Sequence, residues 1–139
     1  MSILRKAALG AATSALLLAG SAVPALAAAP APQAAPGDGW VLVASSGDFT
    51  AQSTWDESTS WGSSEGTITT TAASGWVKDL DDDGYCAQVV IKWYGTNGKT
   101  DTDYSPQACP QGDEDDFSKK PGDSSYWTAT GYEVYMQRV

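Results

Sequence analysis

The sequence predicts an all-β fold, a small antiparallel β-sandwich with one disulfide. Three observations support this. Short runs rich in β-branched and aromatic residues alternate with Gly, Asn and Asp turns. No helical periodicity follows the first 27 residues. The chain also has two cysteines, and a domain of about 100 residues with closely spaced hairpins is typical of a sandwich.

The first 27 residues have the three parts of a secretory signal peptide. Arg5 and Lys6 are basic, Ala7 to Ala19 is apolar, and Ala25 and Ala27 provide the small residues that a signal peptidase reads. The apolar run is too short for a membrane anchor, which needs about 20 residues. We therefore expect cleavage after Ala27 and a secreted, extracellular protein without membrane contact after cleavage.

The segment 28–39 is rich in Ala and Pro and should form a disordered leader, which leaves 40–139 as a single domain. Its first strand is predicted at Trp40 to Ala44. Residues 45–66 are polar and Gly-rich, and are expected to form a loop with one short strand. Thr67 to Thr71 is β-branched and should be an edge or half-buried strand.

The strongest local pattern is a predicted hairpin. Gly75 to Leu80 and Tyr85 to Tyr94 flank Asp81-Asp82-Asp83-Gly84, and Asp-Gly between β-rich runs favours a tight turn. The core face of the second arm should consist of four alternating residues, Ala87, Val89, Ile91 and Trp93.

Two further elements follow the predicted hairpin. Asn97-Gly98 predicts the next turn, and Lys99 to Tyr104 a returning strand. A terminal strand should bury Tyr132, Val134 and Met136.

Cys86 and Cys109 are predicted to pair, since an even cysteine count in a secreted chain favours a disulfide. The chain has no histidine, which excludes His-dependent nucleophilic catalysis and imidazole metal sites. The string Gly62 to Gly66 matches G-x-S-x-G, but it precedes a strand rather than a helix and has no base. Two carboxylates suffice for glycoside hydrolysis, yet no pair stands out among 17. We therefore expect a non-enzymatic protein.

The mature chain is strongly acidic, with six basic and 17 acidic residues and a formal charge of −11. Such a charge repels phosphate backbones and anionic lipids, so nucleic acid is excluded as a partner. The acidity is explained either by solubility or by cation binding.

Asp79, Asp81 and Asp83, followed by Gly84, repeat the D-x-D-x-D-G opening of a calcium loop. Val90 stands where an EF-hand needs its bidentate Glu, so an EF-hand is excluded and a looser Ca²⁺ site in the hairpin turn remains. A second acidic cluster at 113–116 is expected near the first if the disulfide forms. The alternative is a solvated acidic hairpin that binds no ion, since Asp favours turns. No cofactor is required in either case.

The six tryptophans suggest a binding role for some of them. Trp55 and Trp61 lie in a polar segment, where an exposed indole could stack on a sugar ring. The alternative is that most tryptophans belong to the core, because Trp93 is on a predicted buried face and Trp40, Trp76 and Trp127 border strands.

The runs WVKDLDDDGYCAQVVIKWY, DYSPQACPQGD and YEVYMQRV resemble small secreted actinobacterial proteins with a D-x-x-x-D-G hairpin. The resemblance implies a compact β-sandwich and an extracellular location, and it indicates no particular activity. CAQ is also similar to a strand of tendamistat-like α-amylase inhibitors, although their Trp-Arg-Tyr triplet is missing here.

Two functions follow as expectations. The first is a monomeric, non-enzymatic binding module for extracellular polysaccharide or cell-wall material. The second is an inhibitor or protein-binding module that acts on a secreted hydrolase or a surface receptor.

Overall fold

A computed structural model describes residues 39–46 and 52–139. The predicted signal peptide and almost all of the predicted leader lie outside these residues. Within them, no helix has the length and apolar character to cross a membrane.

The described residues form eight strands and one short 3₁₀ turn. The strands are β1 (Trp40–Ser46), β2 (Ser53–Ser58), β3 (Gly62–Ile68), β4 (Ala73–Asp79), β5 (Ala87–Gly95), β6 (Thr100–Tyr104), β7 (Glu114–Lys119) and β8 (Ala129–Arg138). They build two four-stranded antiparallel sheets, with strand orders β1-β8-β5-β6 and β2-β3-β4-β7. The predicted fold class, an all-β sandwich with one disulfide, is confirmed.

The core lies between the two sheets. The predicted inward face of β5 is confirmed, because all four of its residues are buried, and so are the three predicted residues of β8. The second sheet contributes Trp55, Ile68, Val77 and Phe117 to the same cluster. Burial of these apolar faces is the main stabilising contribution to the sandwich.

The segment 45–66 differs from the prediction, since it contains most of two paired strands, β2 and β3, rather than one short strand. The reason is the indole of Trp55, which lies across β3 and needs small residues beneath it. A Cβ on Gly66 would overlap this ring, and the Ser64 hydroxyl accepts a hydrogen bond from Trp55 Nε1 at 3.0 Å. The Thr-rich run contributes only its first two residues to β3, which ends at Ile68.

The predicted hairpin around Asp81 to Gly84 is wrong. Strand β4 pairs with β3 and β7, whereas β5 pairs with β8 and β6, so the loop 80–86 crosses from one sheet to the other. The turn signal itself is present, since Gly84 has φ +82°. Each flanking strand, however, pairs with other strands of its own sheet, and local turn chemistry does not fix strand pairing.

The next hairpin forms as predicted. Asn97 and Gly98 both have positive φ and connect β5 to β6. The disulfide between Cys86 and Cys109 is also confirmed, with Cα atoms 4.8 Å apart. Cys86 in addition exchanges two backbone hydrogen bonds with Val139, so the disulfide lies beside the end of the last strand.

Candidate binding site at the crossover loop

The site begins with the side-chain alternation of β4. Ala73, Val77 and Asp79 share the inward face of this strand, so the last inward position is occupied by a carboxylate. Asp79 is only 2% exposed. Its Oδ1 atom accepts the Asp81 backbone N–H at 3.2 Å, whereas its Oδ2 atom is buried without a hydrogen-bond partner in the described chain. A buried oxygen without a partner is energetically unfavourable and needs an explanation.

The crossover loop that follows is held by its own carboxylates. Asp83 accepts the Tyr85 backbone N–H at 2.9 Å, as Asp79 does for Asp81. Such side-chain caps of the backbone are typical of Asp in turns. These two caps fix the carboxylates of Asp79 and Asp83 at the start and in the middle of the loop.

Arg138 binds the loop from the last strand. Its guanidinium pairs with Asp81 at 3.5 Å and also with Asp83. It lies over two rings as well, with Cζ 5.9 Å from the centroid of Trp61 and 5.4 Å from that of Tyr85. Arg138 therefore positions the Tyr85 ring and neutralises part of the acidic loop.

A cavity of about 330 Å³ lies between this loop and the segment 109–111. Small-molecule sites in proteins usually occupy about 300–1,000 Å³, so the volume suits one or two sugar-sized groups. Its walls combine three carboxylates, one aromatic ring, one amide and the disulfide, from Asp79, Asp81, Asp82, Tyr85, Gln111, Cys86 and Cys109, with Gly84 and Pro110 completing the lining. Gln111 Nε2 donates to the Leu80 carbonyl at 2.9 Å, which fixes the rim.

The aromatic member of this site is Tyr85, which is 56% exposed although Arg138 lies over its ring. An exposed ring beside hydrogen-bonding side chains is the combination that a sugar ring requires. The exposed part of Tyr85 is therefore the surface that a ligand can cover.

The two tryptophans predicted as ligand-binding residues differ in their surroundings. Trp55 is 4% exposed and stacks on Phe117 at 6.2 Å between centroids, so its ring is a core element and is not open to a sugar. Trp61 is partly buried against the core and contacts Arg138. Neither indole is among the residues that line the cavity, and Trp61 is connected to the crossover loop through Arg138.

Backbone hydrogen bonds connect the acidic cluster of the crossover loop to the second acidic cluster at 113–116. The Asp79 N–H donates to the Asp113 carbonyl at 3.0 Å, and the Gly112 N–H donates to the Asp79 carbonyl at 2.8 Å. The three predicted calcium ligands, however, do not share one environment. Asp81 and Asp83 pair with Arg138, and Asp79 does not.

A second group of carboxylates was not predicted from the sequence. Asp101, Asp103 and Asp123 each offer an oxygen, and these atoms lie within 4.8 Å of one another, so the triad could hold a metal ion. Burial raises the pKa of the Asp103 carboxyl, although the hydrogen bond from Trp93 Nε1 at 2.9 Å acts in the opposite direction. The Asp101 carboxylate accepts the Gly122 N–H, which brings the loop of Asp123 to the strand.

Part of both sites could be found in the sequence. Asp101 and Asp103 alternate on one predicted strand, and Asp79 continues the inward positions of β4. Asp123 and Arg138, in contrast, are distant in sequence from their partners, and only the three-dimensional contacts join them.

Comparison with known proteins identifies no relative, since no family model, curated protein or solved structure matches the chain.

Proposed function

We propose that the chain is a secreted, non-enzymatic, monomeric module that binds extracellular polysaccharide or cell-wall material through the cavity at the crossover loop. The observation that carries this proposal is the exposed Tyr85 ring on the wall of a sugar-sized cavity, beside Asp81, Asp82 and Gln111. The ring would stack on a sugar face, and the polar side chains would accept its hydroxyl hydrogens.

The extracellular location is part of the proposal. The disulfide is compatible with an oxidising compartment, and the sequence of the first 27 residues supports export. The absence of histidine from the sequence supports a binding role over a catalytic one.

We also propose a Ca²⁺ site at Asp79, Asp81 and Asp83, in which the ion competes with the Arg138 guanidinium. The guanidinium of Arg138 already supplies a positive charge to Asp81 and Asp83. A Ca²⁺ ion that uses these two carboxylates must therefore displace Arg138, and we expect weak binding in the native protein.

A sedimentation assay on insoluble polysaccharides tests the main proposal. The native protein should be depleted from solution by at least one polysaccharide in a panel of cellulose, chitin, xylan and peptidoglycan. Tyr85→Ala should lose this binding about tenfold or more, because the stacking surface is removed. Tyr104→Ala is the matched control, since Tyr104 has the same side chain and is also exposed but lies on β6 outside the cavity.

Equal binding by both variants would contradict the assignment of the cavity. No depletion by any polysaccharide, together with inhibition of a secreted hydrolase, would favour the inhibitor function instead. Release of soluble sugar from any of these substrates would contradict the non-enzymatic assignment.

A further inference from the structure

We infer that the cavity at the crossover loop selects a ligand with a protonated amine, and specifically an amino sugar with a free, unacetylated amino group. This inference rests on the proposed function and narrows it to one class of sugar. The observation behind it is Asp79, which is among the residues that line the cavity and whose carboxylate oxygen Oδ2 is buried without a partner among the described residues.

Asp79 occupies a position that normally holds an apolar residue. Ala73 and Val77, two earlier positions on the same face of β4, are buried in the core. Placing a carboxylate at the next inward position costs free energy unless a cation or hydrogen-bond donor meets it. Two neighbouring cations pair with other carboxylates, since the Nη2 atom of Arg138 pairs with Asp81 and Asp83, and Lys78 pairs with Glu114 at 3.5 Å.

The remaining walls of the cavity favour the same charge. Asp81 and Asp82 also line it, and the lining contains no Lys or Arg side chain. Tyr85 adds an exposed ring, which attracts cations through its π face as well as stacking on sugars. A protonated amine provides up to three hydrogen-bond donors and one positive charge, and the Oδ2 atom of Asp79 is an acceptor of opposite charge.

A hydroxyl-only sugar lacks the charge, and an N-acetylated sugar has lost it. Both can still stack on Tyr85, but neither can form a charged hydrogen bond with Asp79. Selection between free and acetylated amino sugars is therefore the property that distinguishes this inference from polysaccharide binding in general.

Calorimetric titration tests the inference with three soluble probes: a glucosamine trimer, an N-acetylglucosamine trimer and a glucose trimer. The titrations are run at about pH 6, where a free amino group is protonated. We expect the glucosamine trimer to bind about tenfold more tightly than the other two. Asp79→Asn should abolish this preference, so that the three trimers bind with similar affinity.

Asp116→Asn is the matched control, because it removes the same charge from an exposed position on β7. It should retain the preference for the amine, which separates a specific contact from attraction to net charge. The thermal midpoint of Asp79→Asn should equal or exceed that of the native protein, since the variant loses an unpaired buried carboxylate. If that variant does not fold, the native protein tests the inference by itself, since its preference for the glucosamine trimer should be lost at about pH 9.5, where the amine is neutral.

The outcomes are distinguishable. Equal affinity for all three trimers, or an undiminished preference in Asp79→Asn, would overturn the amine inference and leave polysaccharide binding standing. Failure of every trimer, and of the polysaccharide panel, would overturn the proposed function itself. Asp79-dependent binding of Ca²⁺ without binding of the glucosamine trimer would replace the amine with a metal ion.

Discussion

Replacing Arg138 with Met tests the organisation of the crossover loop. The substitution keeps an unbranched side chain of similar reach but removes the guanidinium. Two partly exposed ion pairs, to Asp81 and Asp83, contribute about 0.2–1 kcal/mol each. The contacts with Trp61 and Tyr85 contribute about 0.5–1 kcal/mol each. We expect a total loss of about 1.5–4 kcal/mol, and a fall in Tm of roughly 6–30 °C.

Urea unfolding followed by circular dichroism measures this loss directly. Arg138→Lys is the control, since it keeps the charge and loses the planar fork that reaches two carboxylates, and it should recover about half of the stability. A change below about 0.5 kcal/mol in Arg138→Met would refute the reasoning, because it would place Arg138 among surface residues of no consequence.

The same variant also tests whether the guanidinium takes the place of a metal ion. Without it, Asp81 and Asp83 lose their cation and become available to Ca²⁺ together with Asp79. In about 10 mM Ca²⁺, a site with a dissociation constant of roughly 1 mM stabilises the fold by about 1.4 kcal/mol. We expect this rise in the variant and a smaller one in the native protein. Equal responses would show that Arg138 and Ca²⁺ do not compete.

Three further predictions concern the fold. Replacing Cys86 and Cys109 together with Ala should lower the free energy of unfolding in urea by about 2–5 kcal/mol, and an unchanged value would contradict a stabilising disulfide. Burial and the hydrogen bond to Glu133 raise the pKa of Tyr135 to about 12, so stability should decline as pH rises from 10.0 to about 12; ionisation of every tyrosine near pH 10 with the β-sheet signal intact would disprove this. Trp55→Ala should cost about 3–5 kcal/mol in urea unfolding without weakening polysaccharide binding, since its ring is in the core, and the reverse pattern would restore it as a ligand residue.

The sequence could predict what depends on local pattern. Period-two alternation identified the buried face of β5, and Asn97-Gly98 identified the one hairpin turn that was correctly assigned. The Asp81 to Gly84 turn failed because a turn signal reports backbone conformation and not the partner of each strand. β3 was missed because its small polar residues are selected by the Trp55 ring that covers them, which is a contact between strands.

In the candidate site, too, local features could be predicted from the sequence and contacts between distant residues could not. Its carboxylates and the disulfide follow from the sequence, and so does their proximity. The partners that decide their chemistry do not, because Arg138 is 57 residues from Asp81. Ligand-binding rings were expected at Trp55 and Trp61, whereas the exposed ring at the cavity is that of Tyr85, on a crossover loop that the sequence did not predict.

A heteronuclear NMR titration tests sugar binding at the cavity most directly. The ¹⁵N-labelled protein is titrated with the glucosamine trimer and, separately, with the glucose trimer. If the cavity at the crossover loop binds sugar, the largest shift changes should fall on the amides of Gly84, Tyr85 and Gln111. The amide of Tyr104, on β6 outside the cavity, should remain unchanged. Shift changes centred on Tyr104, or none at residues 79–86 and 109–111 with either trimer, would contradict sugar binding in this cavity.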